Sequence, residues 1–320
     1  MEKKLITPSS DCLESQSYIK YCDDEYKYDN LKHVPDSGIV QVHNDEISEF
    51  FNRCGDNGRE YVIVSPRSDF GIAYQHEHSV WMDMHKAIKS IPYDHTVDLS
   101  QLGYRHFIVP PRCDVENCNQ SDLFSVKCDS YTKSTFSDIP SNIRKWFTVN
   151  MMCKHPKIEC IPFGIPSWSY EILDNINITE KRQDKSLYVN FQTYTVERLN
   201  IKSFYRDSNF AFCTYVDEAK DNEIYLNELS SHKFVLCPNG NGIDCFRTWE
   251  ALTLGTIPIV ERSYVSESFS DLPILIVDNM YGITKDFLDE QYELIMNRFP
   301  DWSTIEKLKL SYWGRVFSES

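Results

Sequence analysis

Apolar positions in this chain fall into short runs, not long stripes. Tyr61–Ser65 (YVIVS), His106–Val109 (HFIV), Trp146–Val149 (WFTV) and Ile158–Pro162 (IECIP) are rich in β-branched and aromatic residues. Polar or helix-compatible stretches separate them, which predicts strands alternating with crossovers. A second series follows at Ser186–Phe191, Phe210–Tyr215, Lys233–Cys237, Thr256–Val260 and Leu272–Val277. Its helix-compatible segments lie near Val196–Tyr205, Ile224–Ser231, Asp244–Leu254 and Lys285–Arg298. Continuous apolar strands with helices between them mark a parallel sheet covered on both faces, so the carboxyl half reads as a Rossmann-type α/β domain.

Between the two series, Ser167–Lys185 loses apolar periodicity and ends in charge, and the domain boundary is expected there. The expected organisation is a first domain over residues 1–168, a second over 169–300 and a closing segment over 301–320. In that last segment Ile305, Leu308, Leu310, Tyr312, Trp313 and Val316 recur near helical spacing, which predicts one amphipathic helix over Trp302–Ser318. A length of 320 residues suits two domains.

Charge narrows the partners. With 33 basic and 48 acidic residues the net charge is −15, and such a surface repels phosphate backbones, so no nucleic-acid partner is expected. No apolar leader follows Lys3 and Lys4, and no run reaches the roughly 18 apolar residues that a membrane span needs. The expectation is a soluble, cytoplasmic protein without a membrane span. Eleven cysteines without a C-x-x-C pair signal neither a full disulfide framework nor a ribbon-type zinc site. Cys113, Cys118 and Cys128 form the single cluster, and reduced, mostly buried thiols are the expectation.

The richest stretch is Ser231–Val260, where a strand runs into Pro238-Asn239-Gly240-Asn241-Gly242 and then into a helix expected to stop at Gly255. Gly240 and Gly242 admit positive φ and a close ligand, and the free N–H groups of the following helix favour an anion. A phosphate or diphosphate is the natural occupant. Neither G-x-G-x-x-G nor the P-loop pattern fits, because residue 245 is Cys and no Lys-Ser or Lys-Thr follows. Arg247 and Glu250 stand three residues apart, about 60° around the helix, on one flank. A guanidinium grips a diphosphate and a carboxylate accepts ribose hydroxyls. A plain surface ion pair is the alternative reading of the same spacing. Asp244 occupies the expected N-cap and is read as closing the loop on helix N–H groups.

The run CPNGNGIDCFRTWEALTLGTIPIV (Cys237–Val260) resembles the donor-binding segment of exostosin-like glycosyltransferases and their shorter bacterial and viral relatives. The resemblance extends through Trp146–Pro166 and Leu272–Trp313, about half of the chain, while the first 140 residues resemble the family loosely. It implies a GT-B fold: two facing Rossmann-like domains, with a C-terminal helix crossing back to the first. It also implies a nucleotide-sugar donor, a UDP-sugar in the first instance, held by the second domain, and a glycan or glycoprotein acceptor. By motif position, the resemblance assigns Arg247 to the diphosphate, Glu250 to the ribose, and Asn239, Gly240, Asn241 and Gly242 with Asp244 to the donor loop. Asn190 and Arg198 would face the same cleft. Without an amino-terminal span, a cytosolic bacterial or viral type is the closer match.

Fixed N–H dipoles and arginines stabilise a leaving diphosphate without a cation, so no metal and no cofactor beyond the co-substrate is expected. Asp83 with Met84 is the nearest approach to a D-x-D pattern. If the transfer inverts the anomeric centre, a base is needed, and Asp69, just beyond the Tyr61–Ser65 strand, is the first candidate. His76, Glu77 and His78 come next; for Asp69, simple turn chemistry is the alternative. Two other functions fit the pattern. One is a nucleotide-sugar or glycan binder without turnover. The other is a fucosyltransferase-like enzyme using a GDP-sugar, from the A-L-x-x-G-x-x-P ending at Ala251–Pro258.

Overall fold

The described strands form two separate five-stranded sheets, all of whose strand pairs are parallel. The structure is a computed structural model describing residues 5–66 and 139–320, apart from 8, 27–32, 152–154, 177, 179–180, 183, 194 and 241. The His106–Val109 run, Asp69, His76, Glu77, His78, Asp83, Asn241, Cys113, Cys118 and Cys128 lie outside the described residues.

The first sheet has the order β1 (Asp24–Glu25), β2 (Gly38–Gln41), β3 (Tyr61–Ser65), β4 (Ile143–Thr148), β5 (Ile158–Cys160). β3 coincides with the expected run, and all five of its residues are buried. β1 and β2 were not expected from the pattern. β1 is two acidic residues at the sheet edge, in register with Val40 and Gln41, the Gln41 amide donating to Glu25, and β2 has only Ile39 and Val40 as apolar signal. Helix α1 (Ile47–Cys54) covers this sheet through Phe50, which packs edge-on against Tyr26 and Tyr61, and Phe51, edge-on to Trp146.

The linking stretch expected to be irregular holds a single helical turn, α2 (Ser167–Tyr170), and a 3-10 turn at Leu173–Asn175. Four residues are too few to show a period, so α2 left no trace in the pattern.

The second sheet comprises β6 (Leu187–Val189), β7 (Cys213–Tyr215), β8 (Phe234–Leu236), β9 (Ile257–Glu261) and β10 (Leu275–Val277). Spatially they run β10-β9-β8-β6-β7, the doubly wound order 2-1-3-4-5 when numbered within the domain. Its helices are α3 (Val196–Ser208), α4 (Asn222–Ser230), α5 (Phe246–Thr253), α6 (Tyr264–Ser268) and α7 (Lys285–Arg298). Thr195 and Thr284 cap α3 and α7 by accepting from the third helical N–H. α5 ends as expected: Gly255 takes φ +69, a left-handed turn that a side chain would strain.

The closing segment is not one helix. Asp301 accepts from the N–H and hydroxyl of Ser303 and winds a 3-10 turn at Trp302–Thr304. A second turn, Glu306–Leu308, precedes α8 (Leu310–Glu319). The extended backbone of Lys309 separates them, which resets the apolar spacing. α8 returns to the first sheet, with Phe317 4.9 Å from Phe147 of β4 and 6.0 Å from Tyr18. Ser311 fixes its start by donating its N–H and its hydroxyl to the two oxygens of Asp11.

Candidate active site

In the 2-1-3-4-5 order, successive connections leave on opposite sides between β6 and β8, so the carboxyl ends of these two strands open a crevice. The first sheet faces the same place. Asn150, two residues past β4 and in the left-handed region at φ +52, accepts from the N–H of Asp244, and the N–H of Phe163, past β5, donates to the Asp244 carboxylate. The loop Cys237–Cys245 is therefore held between the two sheets.

Arg198, in the first turn of α3, spans the crevice. Its Nε donates to the Asn239 carbonyl at 2.7 Å and Nη2 to the Pro238 carbonyl at 3.0 Å, while Nη1 donates to the Gln192 carbonyl at 3.3 Å. The guanidinium thus ties the loop after β6 to the loop after β8. Gly240 makes this possible: a Cβ there would lie 3.0 Å from Arg198 Nη2. Its φ is not positive, so the glycine serves close approach and not the left-handed backbone expected of it. Burial, and next the charge of Arg247, bring the Arg198 pKa down to about 10.

Arg247, in the first turn of α5, sets its guanidinium 5.8 Å from the Phe191 ring, and Arg198 sits 5.9 Å from the same ring. Its Nε is buried and finds no hydrogen-bond partner among the described residues. Burial opposes its charge, but Tyr225, Cys245, Cys237 and Glu250 outweigh this and hold its pKa above the ordinary value. Lys202, one turn along α3, is already engaged by the Asp217 carbonyl at 2.9 Å and its carboxylate at 3.5 Å. Asn190 donates to the Tyr188 hydroxyl, which in turn donates to Glu228.

Two expected donor residues are placed differently from the sequence reading. Glu250 does not share an open flank with Arg247. It is buried, with Oε1 accepting from Ser169 of α2 at 2.5 Å and Oε2 from Tyr225 of α4 at 2.9 Å, and burial raises its pKa. The packing of α2 and α4 over that flank, invisible in the spacing, closes it. Asp244 is not the N-cap: Cys245 is, and its side chain takes no helix N–H. The Asp244 carboxylate turns inward and accepts from the N–H groups of Phe163 (2.9 Å) and Cys245 (2.9 Å) and from the Trp249 indole (2.8 Å). Burial, despite these donors, raises its pKa to about 7.

The structure adds residues the sequence did not flag. Phe191 supplies the face on which both guanidiniums rest, and Ser169 and Tyr225 hold Glu250. Phe163 stacks on Phe246 at 4.4 Å, and the half-exposed Trp168 meets Phe246 edge-on at 5.6 Å. An aromatic beside Gly164 in Pro162–Pro166 was the available signal, and it was silent about the partner. Among the described residues no group of three or more His, Cys, Asp or Glu is placed to hold a metal ion, and no helix is long and apolar enough to cross a membrane.

Residues 209–273, about a fifth of the chain, match the family model described as the RXYLT1 C-terminal domain, a xylosyltransferase family related to other glycosyltransferases. The matched stretch contains the β8 strand, the loop and α5, hence Arg247 and Glu250, and stops short of Arg198. No curated protein matches the chain significantly.

Proposed function

We propose that this protein is a glycosyltransferase that moves a sugar from a nucleotide-diphosphate donor to a hydroxyl of a glycan or glycoconjugate. The observation that carries this reading is the pair of guanidiniums converging on Phe191 at the crevice, with the buried Nε–H of Arg247 unpartnered among the described residues. A diphosphate supplies the acceptor oxygens that such a group lacks, and its growing charge on departure is met by fixed donors that need no reorganisation. Arg247 grips the diphosphate; Arg198 keeps the loop Asn239–Gly240 in position beside it. Glu250 acts through Ser169 and Tyr225, whose hydroxyls it orients next to the ribose. The family match over residues 209–273 supports the same reaction class.

The two sheets with facing carboxyl ends, and α8 returning to the first, favour a GT-B arrangement. The acceptor is assigned to the first domain and the general base to Asp69, with His76 and His78 next. The arginines stand where a cation would otherwise neutralise the diphosphate, so the reaction is proposed to run without metal. The test is a calorimetric titration with UDP, GDP, CMP and dTDP sugars, followed by transfer from labelled donor in excess chelator. Binding of one class with chelator-resistant transfer is expected. Binding without transfer or hydrolysis would favour a non-catalytic binder, and no binding in any class would end the reading.

A further inference from the structure

Arg198 and Arg247 share one aromatic ring, that of Phe191, with their guanidinium carbons 5.9 and 5.8 Å from its centre. Among the described residues, each other ring in such a contact meets a single cation. Two like charges beside one ring repel. Burial first, and then the charge of Arg247, lower the Arg198 pKa, so each cation feels the other. The two are not held alike. Three backbone carbonyls, of Gln192, Pro238 and Asn239, anchor Arg198. The Arg247 Nε is buried and has no hydrogen-bond partner among the described residues. In place of such a bond, the Arg247 guanidinium has the ring, whose π face attracts a cation. Phe191 lies two residues past β6 and is 2% exposed, so water competes little and the attraction sits towards the upper end of its range. The ring is itself fixed by Arg198, which donates to the carbonyl of the next residue, Gln192, at 3.3 Å. Arg198 holds the loop, the loop holds the ring, and the ring holds Arg247.

We infer that Phe191 is a positioning residue of the anion site: the charge distribution of its ring keeps the Arg247 guanidinium beside Arg198, and this sets how tightly the site takes a diphosphate. The inference rests on the donor-site reading above and adds to it a residue outside the matched segment 209–273. Its content is electrostatic, not steric. A leucine fills much of the same space and lacks the π face, whereas fluorine atoms on the ring withdraw its negative charge and change its shape little. Bulk and charge can therefore be separated.

The experiment is a calorimetric titration of the full chain with inorganic pyrophosphate at constant ionic strength, each sample beside a melting curve. The samples are wild type, Phe191→Leu, and chains carrying mono-, di- or trifluorophenylalanine in place of Phe191. Phe191→Leu is expected to bind pyrophosphate about tenfold more weakly. Along the fluorine series affinity is expected to fall stepwise while melting is preserved, a gradation that a merely space-filling residue would not produce. Affinity unchanged along that series, in a chain that binds pyrophosphate, would overturn the role of Phe191 and leave the donor site standing. No binding of pyrophosphate by the wild type would instead remove the donor site itself, and the role of Phe191 with it. The fluorinated rings keep the packing of the native one, so misfolding of Phe191→Leu leaves the test intact.

Discussion

The two sides of the α5 start carry opposite charges and opposite hydrogen-bond economies. On the linker side, Asp244 and Glu250 are buried carboxyls with every oxygen bonded: Phe163, Cys245 and Trp249 serve one, Ser169 and Tyr225 the other. On the crevice side, Arg247 keeps a buried donor unpartnered among the described residues, and Arg198 holds its guanidinium within 6 Å of the same aromatic ring. Buried polar groups are ordinarily bonded, so a saturated cluster reads as architecture and an unsaturated one as a place for a ligand. The difference teaches that charged residues three positions apart on one helix can do unlike work. The carboxyls bolt the linker and first sheet to the second sheet; Arg198 spends its donors on the carbonyls of Gln192, Pro238 and Asn239, and the Arg247 Nε keeps a donor without a partner among the described residues.

The largest expected effect breaks the linker side. Asp244→Ala strands three buried donors at the junction of the sheets, and at 1–3 kcal/mol for each orphaned donor a stability loss of about 4 kcal/mol is expected in denaturant unfolding. Unchanged stability would remove the architectural reading of that side. A second test asks whether saturated groups deeper in the same domain follow suit. His232 donates Nδ1–H to the Glu228 carbonyl at 2.7 Å and accepts at Nε2 from the Thr214 hydroxyl at 2.7 Å, and burial chiefly lowers its pKa to about 4. A histidine depressed in the fold stabilises it fully above the unfolded value near 6.5. That stability is lost as pH falls from there towards 4, roughly 3 kcal/mol in all. Unfolding curves of wild type and His232→Gln should converge over this window as the pH drops; parallel curves would contradict the assignment.

On the crevice side, Arg247→Ala should weaken nucleotide-diphosphate binding about a hundredfold, as expected for a lost charge-assisted pair. Its stability should fall by about 1 kcal/mol, well short of Asp244→Ala, since no protein hydrogen bond of its Nε is broken although buried Glu250 loses a nearby cation. A large melting shift with affinity preserved would reverse the two sides. The smallest effect belongs to Glu250→Gln. The amide keeps the shape and one acceptor, so a loss of about 1 kcal/mol in stability and less than about threefold in affinity is expected. An affinity loss equal to that of Arg247→Ala would restore Glu250 as a direct ribose ligand.

What the sequence determined by itself is local. The runs YVIVS, KFVLC and TIPIV report burial on both faces, and each became a parallel strand at or within a residue or two of its expected bounds. The order strand, loop, helix, and the stop at Gly255, follow from glycine and hydrophobic spacing because backbone sterics act over a few residues. Angles around α5 were legible too, but an angle states where a side chain leaves the helix and nothing about what waits there. That was decided by chain segments 81 and 94 residues away, where Phe163, Ser169 and Asn150 reach Asp244 and Glu250. The strand order that puts β6 beside β8, and with it Arg198 across the loop from Arg247, is likewise a product of the whole sheet. Periodicity records which residues leave water; only packing between distant segments decides which buried charge meets a partner and which is left for something else.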